Sequence, residues 1–441
     1  MESTFVVAIH TRNEASSLRF KMNKIQSIHK ALFTHTKQIV KVIFLVQLFL
    51  FMSAKSQAQK TDKFMGETVN YDEEAVPAYT LPDVFRTCNG KKIKSRKTWE
   101  ATRRPEILSL FEENIYGKMP PRLDSLKFMI SNIDSNAING KALLKEIQIT
   151  IWRKGNFISF PLVLFIPNHR TKPAPAFLLI NNRSTKNTDP TRVEKSTFWP
   201  AEMIIDSGYA IAAFHNADIT PDRKDSYQQG LLEKIFPEEI QKPDGIKAIG
   251  AWAWAASRVM DYFKTDNDID FNKVAIVGHS RGGKTALWAA AQDQRFAMVL
   301  SSCSGSTGAA VARRHYGETV SLINRQFPHW FNDNYKKYNN QVDHLPVDQH
   351  MLIGLIAPRP VYVTNATEDR WADPRGSFLA LVNAKPIYDL YKKKTMLPAS
   401  FPDTNSPIIR SAIGYHFRDG KHDLNVYDWT NFIKFANFNY K

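Results

Sequence analysis

The chain has 441 residues, 43% of them hydrophobic, 12% aromatic and 23% charged, a globular make-up that excludes a disordered, collagenous, coiled-coil or polytopic membrane protein. Its two cysteines, Cys88 and Cys303, are too few for a disulfide framework or a Cys-based zinc site, so the core has to be held by burial. A formal net charge of +16 would suit nucleic acid, but no nucleic-acid-binding motif accompanies it, and no such partner is expected.

Part of that charge sits in a leader. Lys37 and Lys41 precede an apolar run from Val42 to Met52, and Ser56 and Ala58 supply a small-x-small exit. This is the layout of a secretory signal cut after Ala58, and the run is too short for a comfortable membrane span. A membrane-anchoring or amphipathic segment is the competing reading. The stretch before Lys37 is long for a leader, which suits a start further on, at Met22. Removing residues 1–58, with eight basic and two acidic side chains, leaves +10 over 383 residues without a concentrated patch. The expectation is a periplasmic or secreted protein with no membrane role beyond export.

Residues 59–441 read as a single catalytic domain. Residues 59–80 are polar and suit a docking arm, and Pro105 to Tyr116 has apolar residues at helical spacing that stop at Gly117. Short β-rich apolar runs follow at Ser159–Ile166, Ala176–Ile180, Tyr209–Phe214, Lys273–Gly278, Ala297–Ser301 and Pro360–Asn365. Helical stretches lie between them, notably Gly245 to Phe263 with Trp252 and Trp254, and an Ala-rich run from Lys284 to Gln292. Buried strands alternating with helices specify a mostly parallel sheet with helices on both faces. Residues 304–350 are long for a connection and form a candidate substrate-facing loop.

The segment Val274 to Trp288 reads as strand, tight turn and helix around Gly278-His279-Ser280-Arg281-Gly282. In such a Gly-x-Ser-x-Gly elbow the glycines let strand and helix approach around a strained serine, whose hydroxyl stands at the carboxyl end of the sheet. The alternative is a serine that merely caps the helix. A serine hydroxyl needs a histidine to remove its proton, and in this arrangement the partners follow in the order Ser, acid, His. Downstream, Ile413 to Asp423 offers His416 and His422; His422 is preferred because it follows Gly420 just before a helical pattern from Tyr427, with His416 as the fallback. The run Pro360–Asn365 opens into Glu368, Asp369 and Asp373. Asp369 is the preferred acid; Glu368 and Asp373 are rivals, and Asp373, before Pro374, suits a turn.

Several motifs in one order resemble the glucuronoyl esterases, particularly bacterial ones, over roughly residues 80–440. They are Gly278-x-Ser280-Arg281-x-Gly283-Lys284, Arg313-Arg314-x-x-Gly317-Glu318, His329-Trp330-Phe331, Leu345 to His350, Ala357 to Pro360, Trp371 to Asp373-Pro374, and Gly414 to His416 with His422-Asp423. The resemblance implies an α/β-hydrolase fold, a three-layer sandwich around a mostly parallel central sheet. It also implies hydrolysis of the ester between glucuronic or 4-O-methylglucuronic acid on glucuronoxylan and a lignin alcohol, without metal; no cofactor is expected, and the expected state is a monomer. By the same resemblance Arg281 stabilises the oxyanion, and Lys284, Glu318 and Trp371 line the uronate pocket.

The residue chemistry agrees. The Arg281 guanidinium is always charged and follows the nucleophile, Lys284 lies one helical turn beyond Ser280, Glu318 can accept from sugar hydroxyls, and Trp371 can stack on a pyranose. Each also has an ordinary alternative: a surface ion pair for Arg281, an exposed helix face for Lys284, pairing with Arg313 or Arg314 for Glu318, and loop packing for Trp371. One departure stands out. Many members carry a glutamate 23 residues after the serine, where this chain has Cys303; members that place the acid after the later strand match Asp369, giving the triad Ser280, Asp369 and His422. The loop Asn181 to Thr185 is a candidate for a second oxyanion donor. An acetyl xylan esterase or other serine esterase of the same fold, and a noncatalytic carbohydrate-binding relative, are the competing functions.

Overall fold

Alternation of side chains decides the first half of the sheet. In a computed structural model that describes residues 61–64, 66–120 and 123–440, Ser125–Ala137 (β1), Ala142–Arg153 (β2) and Asn156–Pro167 (β3) form an antiparallel meander. Ile147, Ile149 and Ile151 of β2 point into the core while the residues between them face outward, the period-2 pattern of a half-buried sheet. β1 closes one edge of the sheet and leaves Met129, Ile130 and Ile133 exposed. Residues 63–441 form one compact unit. The expected leader, residues 1–58, lies outside the described residues.

From Ala174–Asn181 (β4) onward the strands are short, apolar and parallel. They are Ala210–His215 (β5), Ile269–His279 (β6), Met298–Ser302 (β7), Val361–Ala366 (β8) and Ile413–Arg418 (β9). The nine strands lie in the order β9-β8-β7-β6-β4-β5-β3-β2-β1, and β3 joins the two halves by pairing antiparallel with β5. The sheet is therefore mixed: the parallel part matches the strands expected from sequence, whereas β1 and β2, and the antiparallel sense of β3, were not anticipated. β9 is likewise a strand that the sequence reading does not mark, Ile413 to Arg418 standing out there for His416 alone.

Both faces of the sheet are covered. Ala176, Leu178 and Ile180 of β4 belong to one apolar cluster, and Phe177 and Leu179 to another on the opposite face. The first face carries Ala248–Phe263 (α1), Arg281–Gln292 (α2) and Pro374–Leu390 (α3); Trp252, Trp254 and Trp288 are fully buried beneath them. The second carries Val426–Asn439 (α4), which buries Trp429, Phe432 and Phe435. Burying one such aromatic contributes about 1.5–3 kcal/mol, so the large rings dominate the packing. α1 begins three residues later than its apolar pattern suggests; Gly245 lies before it, packed so closely that a Cβ there would stand 2.0 Å from the Glu239 carbonyl oxygen. Its first free amides, those of Ala248 and Ile249, are instead taken up by the carbonyls of His329 and Trp330. Among the described residues no helix is long and apolar enough to cross a membrane.

Since β6, β7, β8 and β9 are consecutive neighbours and all run the same way, the residues just past their carboxyl ends come together. Those residues are Ser280, Cys303, Asp369 and His422.

Candidate active site

Ser280 sits at the turn from β6 into α2 with φ 57° and ψ −126°, a region that costs a non-glycine residue of order 1–3 kcal/mol and persists only where the surroundings enforce it. The surroundings are visible: a Cβ on Gly278 would lie 2.0 Å from the Gly282 carbonyl oxygen, and the Ser280 amide donates to the Ser302 carbonyl at 2.8 Å. The side chain makes no capping bond to α2, so the capping alternative is not what its hydroxyl does; it lines a cavity of about 270 Å³.

The same cavity is lined by Arg281, Lys284, Cys303, Glu318, Asp369, Trp371 and His422, which includes every residue singled out as catalytic or substrate-binding. His422 Nδ1 and Asp369 Oδ2 are 2.6 Å apart, a short charge-assisted contact that fixes which imidazole nitrogen can face the cavity. The two loops are tied together beyond their strands: the Thr367 amide donates to the Arg418 carbonyl, the Glu368 amide to the Gly420 carbonyl, and the Gly420 amide to Thr367 Oγ1. Asp369 is 4% exposed, whereas Glu368 is exposed. Asp373 is buried elsewhere, held by Arg314 Nε at 2.8 Å and capping α3 through the Gly376 amide; burial pushes its carboxyl up to about 6. His416 is also structural: it lies within β9 between Tyr362 OH and Asp428.

Lys284 and Glu318 form a fully buried pair, with Nζ 2.6 Å from Oε2 and side-chain exposures of 2% and 5%. Neither the exposed-face reading of Lys284 nor a pairing of Glu318 with Arg313 or Arg314 matches this geometry; those arginines bind Asp348, Asp373 and Glu73. Burial lowers the ammonium and raises the carboxyl, and mutual attraction offsets part of both shifts. The approach needs Gly305, at φ 61°, because a Cβ there would stand 2.6 Å from Glu318 Oε2. Trp371 accepts the Glu318 amide on its carbonyl at 3.0 Å, so the uronate-pocket candidates are wired together through the backbone.

Cys303 is 2% exposed with φ 49°, and burial followed by the Asp369 charge raises its thiol well above the usual value, which keeps it protonated and unreactive. Both cysteines are free. Cys303, Asp369 and His422 present ligand atoms within 4.8 Å of one another, the only such group among the described residues; the hydrogen bond between Asp369 and His422 already occupies two of these donors. In the loop after β4, the Arg183 amide is taken by Asn181 Oδ1 at 2.9 Å and is no free oxyanion donor. Its guanidinium pairs with Asp423 at 2.8 Å, beside the His422 loop.

Sequence reasoning missed four contributors. His279, the variable residue of the elbow, packs its ring 4.5 Å from that of His422, and burial followed by the neighbouring imidazole holds it far below its usual value, hence neutral. Phe327 and Trp330 stack at 3.9 Å and line the cavity, so the insertion at 304–350 does supply the site. Asp222, in the loop after β5, meets Arg281. The elbow motif could have flagged His279; nothing in the sequence distinguishes Asp222 from a turn aspartate.

The chain was also compared with known proteins. Residues 149–391 match the family described as glucuronyl esterase, fungi. A carbohydrate esterase of an unknown prokaryotic organism is 40% identical over 396 residues, covering 83% of this chain and 91% of the relative. Two solved structures superpose with a TM-score of 0.77: a promiscuous CE15 esterase from a marine bacterial metagenome, 38% identical over 84% of this chain and 100% of that one, and a glucuronoyl esterase from Solibacter usitatus, 36% identical over 83% and 100%.

Proposed function

The chain belongs to the glucuronoyl esterase family, and on that footing we propose that it is a serine carboxylic-ester hydrolase that cleaves glucuronoyl or 4-O-methylglucuronoyl esters, such as the lignin-carbohydrate linkages of glucuronoxylan, through an acyl-enzyme. The observation that carries the reading is the meeting of Ser280, the hydrogen-bonded pair of His422 and Asp369, and the pair of Lys284 and Glu318 in one cavity.

In this mechanism His422 takes the Ser280 proton through Nε2 as Oγ attacks the ester carbonyl, and Asp369 holds the tautomer and stabilises the imidazolium. Arg281 faces the negative charge that develops on the carbonyl oxygen. His422 then protonates the departing alcohol, and water enters by the same base to release the uronate. Lys284, Glu318 and Trp371 engage the sugar hydroxyls and ring, a task that an acetyl ester would not set them. We extend the proposal to a single catalytic domain of α/β-hydrolase fold over residues 59–441, exported by the segment 1–58 and acting as a monomer. Turnover of benzyl glucuronate by the wild type, its loss in Ser280→Ala, and little activity on acetylated xylan are the expected results. Preference for acetylated xylan would give the acetyl xylan esterase reading, and binding without turnover the noncatalytic one. Sequencing the amino terminus of exported protein tests the cut after Ala58.

A further inference from the structure

The Arg281 guanidinium is held on one side only. Its Nη1 bonds Asp222 Oδ2, its Nε is buried with no hydrogen-bond partner in the protein, and its Cζ lies 5.5 Å over the Trp330 ring. Asp222 is in turn clamped through its other oxygen, which receives Trp330 Nε1 at 2.7 Å and His329 Nε2 at 2.9 Å. Burial works to raise this carboxyl, but the bonds from His329, Arg281 and Trp330 outweigh it and keep it ionised.

The clamp rests on one helix. Trp252 of α1 donates from Nε1 to the Thr220 carbonyl at 3.1 Å, two residues before Asp222. The amides of Ala248 and Ile249, at the start of α1, bond the carbonyls of His329 and Trp330. Both the loop that presents Asp222 and the segment that grips it are therefore fixed to the same rigid element.

We propose that Asp222 is a positioning residue for the reaction: by fixing Nη1 of Arg281 it aims the unbonded edge of the guanidinium at the carbonyl oxygen of the bound ester. The inference rests on the reading of Arg281 as the oxyanion donor. A long arginine side chain gives up several rotors to reach one geometry, and a donor helps the transition state most when it is in place before charge develops. A carboxylate that is itself held by three donors supplies that placement. It also joins Arg281 to the aromatic wall of Phe327 and Trp330, so the position of the oxyanion donor and the shape of the cavity are set together.

The test is a double-mutant cycle on benzyl glucuronate hydrolysis with wild type, Asp222→Asn, Arg281→Ala and the double variant. Asp222→Asn is expected to lower kcat by about 10- to 100-fold, below the roughly 100- to 1,000-fold loss of a whole oxyanion donor, with KM changed less than about threefold. The double variant should be no slower than Arg281→Ala alone. Wild-type kcat in Asp222→Asn, or losses that multiply in the double variant, overturn the proposal. Wild-type kcat in Arg281→Ala sinks the oxyanion reading instead. Should Asp222→Asn not fold, Trp330→Phe removes one donor to Asp222 and keeps a ring: a severalfold fall in kcat that vanishes in the Arg281→Ala background supports the proposal, and an equal fall in both backgrounds overturns it.

Discussion

Cys303 occupies the position, 23 residues after Ser280, at which the resemblance puts the glutamate of many glucuronoyl esterases, yet it presents a buried thiol to the Asp369 and His422 pair. A neutral thiol cannot stabilise an imidazolium, so in the proposed mechanism the charge that orients His422 comes from Asp369, 2.6 Å away. Asp369→Asn is expected to keep the fold and to lower kcat by up to roughly four orders of magnitude, the loss seen in the reference triad, while Cys303→Ala changes kcat little; melting curves and steady-state rates check both. Partial recovery of the Asp369→Asn enzyme by Cys303→Glu would show that both positions reach the same histidine. The opposite ordering, a dead Cys303→Ala and an active Asp369→Asn, would remove Asp369 from the triad. At this scale the sequence was legible where chemistry is local: Ser280 is marked by its glycines and Asp369 by its strand end. The two histidines were separable only in part. His416 and His422 lie six residues apart, and only packing shows that one is sealed inside the sheet by Tyr362 and Asp428 while the other turns to the cavity.

The elbow between β6 and α2 depends on the absence of side chains. Gly278→Ala would drive a Cβ to 2.0 Å from the Gly282 carbonyl oxygen, a backbone atom that cannot swing away. The expected outcome is a large fall in melting temperature together with lost turnover, whereas Gly90→Ala, with nothing within 4 Å of its Cβ, should show only the smaller penalty of a positive φ. The buried pair of Lys284 and Glu318 ties α2 to the segment following Arg314 in the same way. Removing one partner, as in Glu318→Gln, leaves a buried ammonium and should cost about 3–5 kcal/mol; replacing both by Lys284→Met and Glu318→Leu should return much of the stability without returning activity, a contrast that denaturant melts and rate measurements would read. Elements with a strong local signature were foreseen. Strands β4 to β8 are apolar runs between breakers, and Trp252 and Trp254 mark the helix that later proves to carry the Asp222 clamp. β1 escaped because this edge strand leaves Met129, Ile130 and Ile133 exposed, which blurs alternation. β2 has clear alternation in Ile147, Ile149 and Ile151, and its signal was present but unread.

For the whole molecule, acidic groups held by cations set the response to pH. Burial works to raise Asp293, but hydrogen bonds and charge from Arg295 outweigh it and hold the carboxyl below its ordinary range. A carboxyl with a folded pKa below its unfolded one contributes stability that is complete above the unfolded value, near 4, and is lost as the pH falls through the folded value. The melting temperature of Asp293→Asn should therefore lie below that of the wild type at pH 7, with the gap closing as the pH drops under about 4; a gap independent of pH would show that the contribution is steric rather than ionic. Two layers of helices on a sheet could be inferred from alternating strands and helices, but the antiparallel pairing of β3 with β5 that inserts the meander into the sheet could not, since a long-range pairing leaves no local mark. The strand order also fixes when the enzyme becomes active. Ser280 is in place once β6 and α2 have formed, but its proposed base follows β9, the edge strand, which pairs with β8. Synthesis delivers that strand after every other, so a nascent chain can bury most of its tryptophans and still hydrolyse nothing. Chains ended before Ile413 should accordingly show buried-tryptophan fluorescence without ester hydrolysis, and hydrolysis by such a chain would show that the site needs neither β9 nor His422.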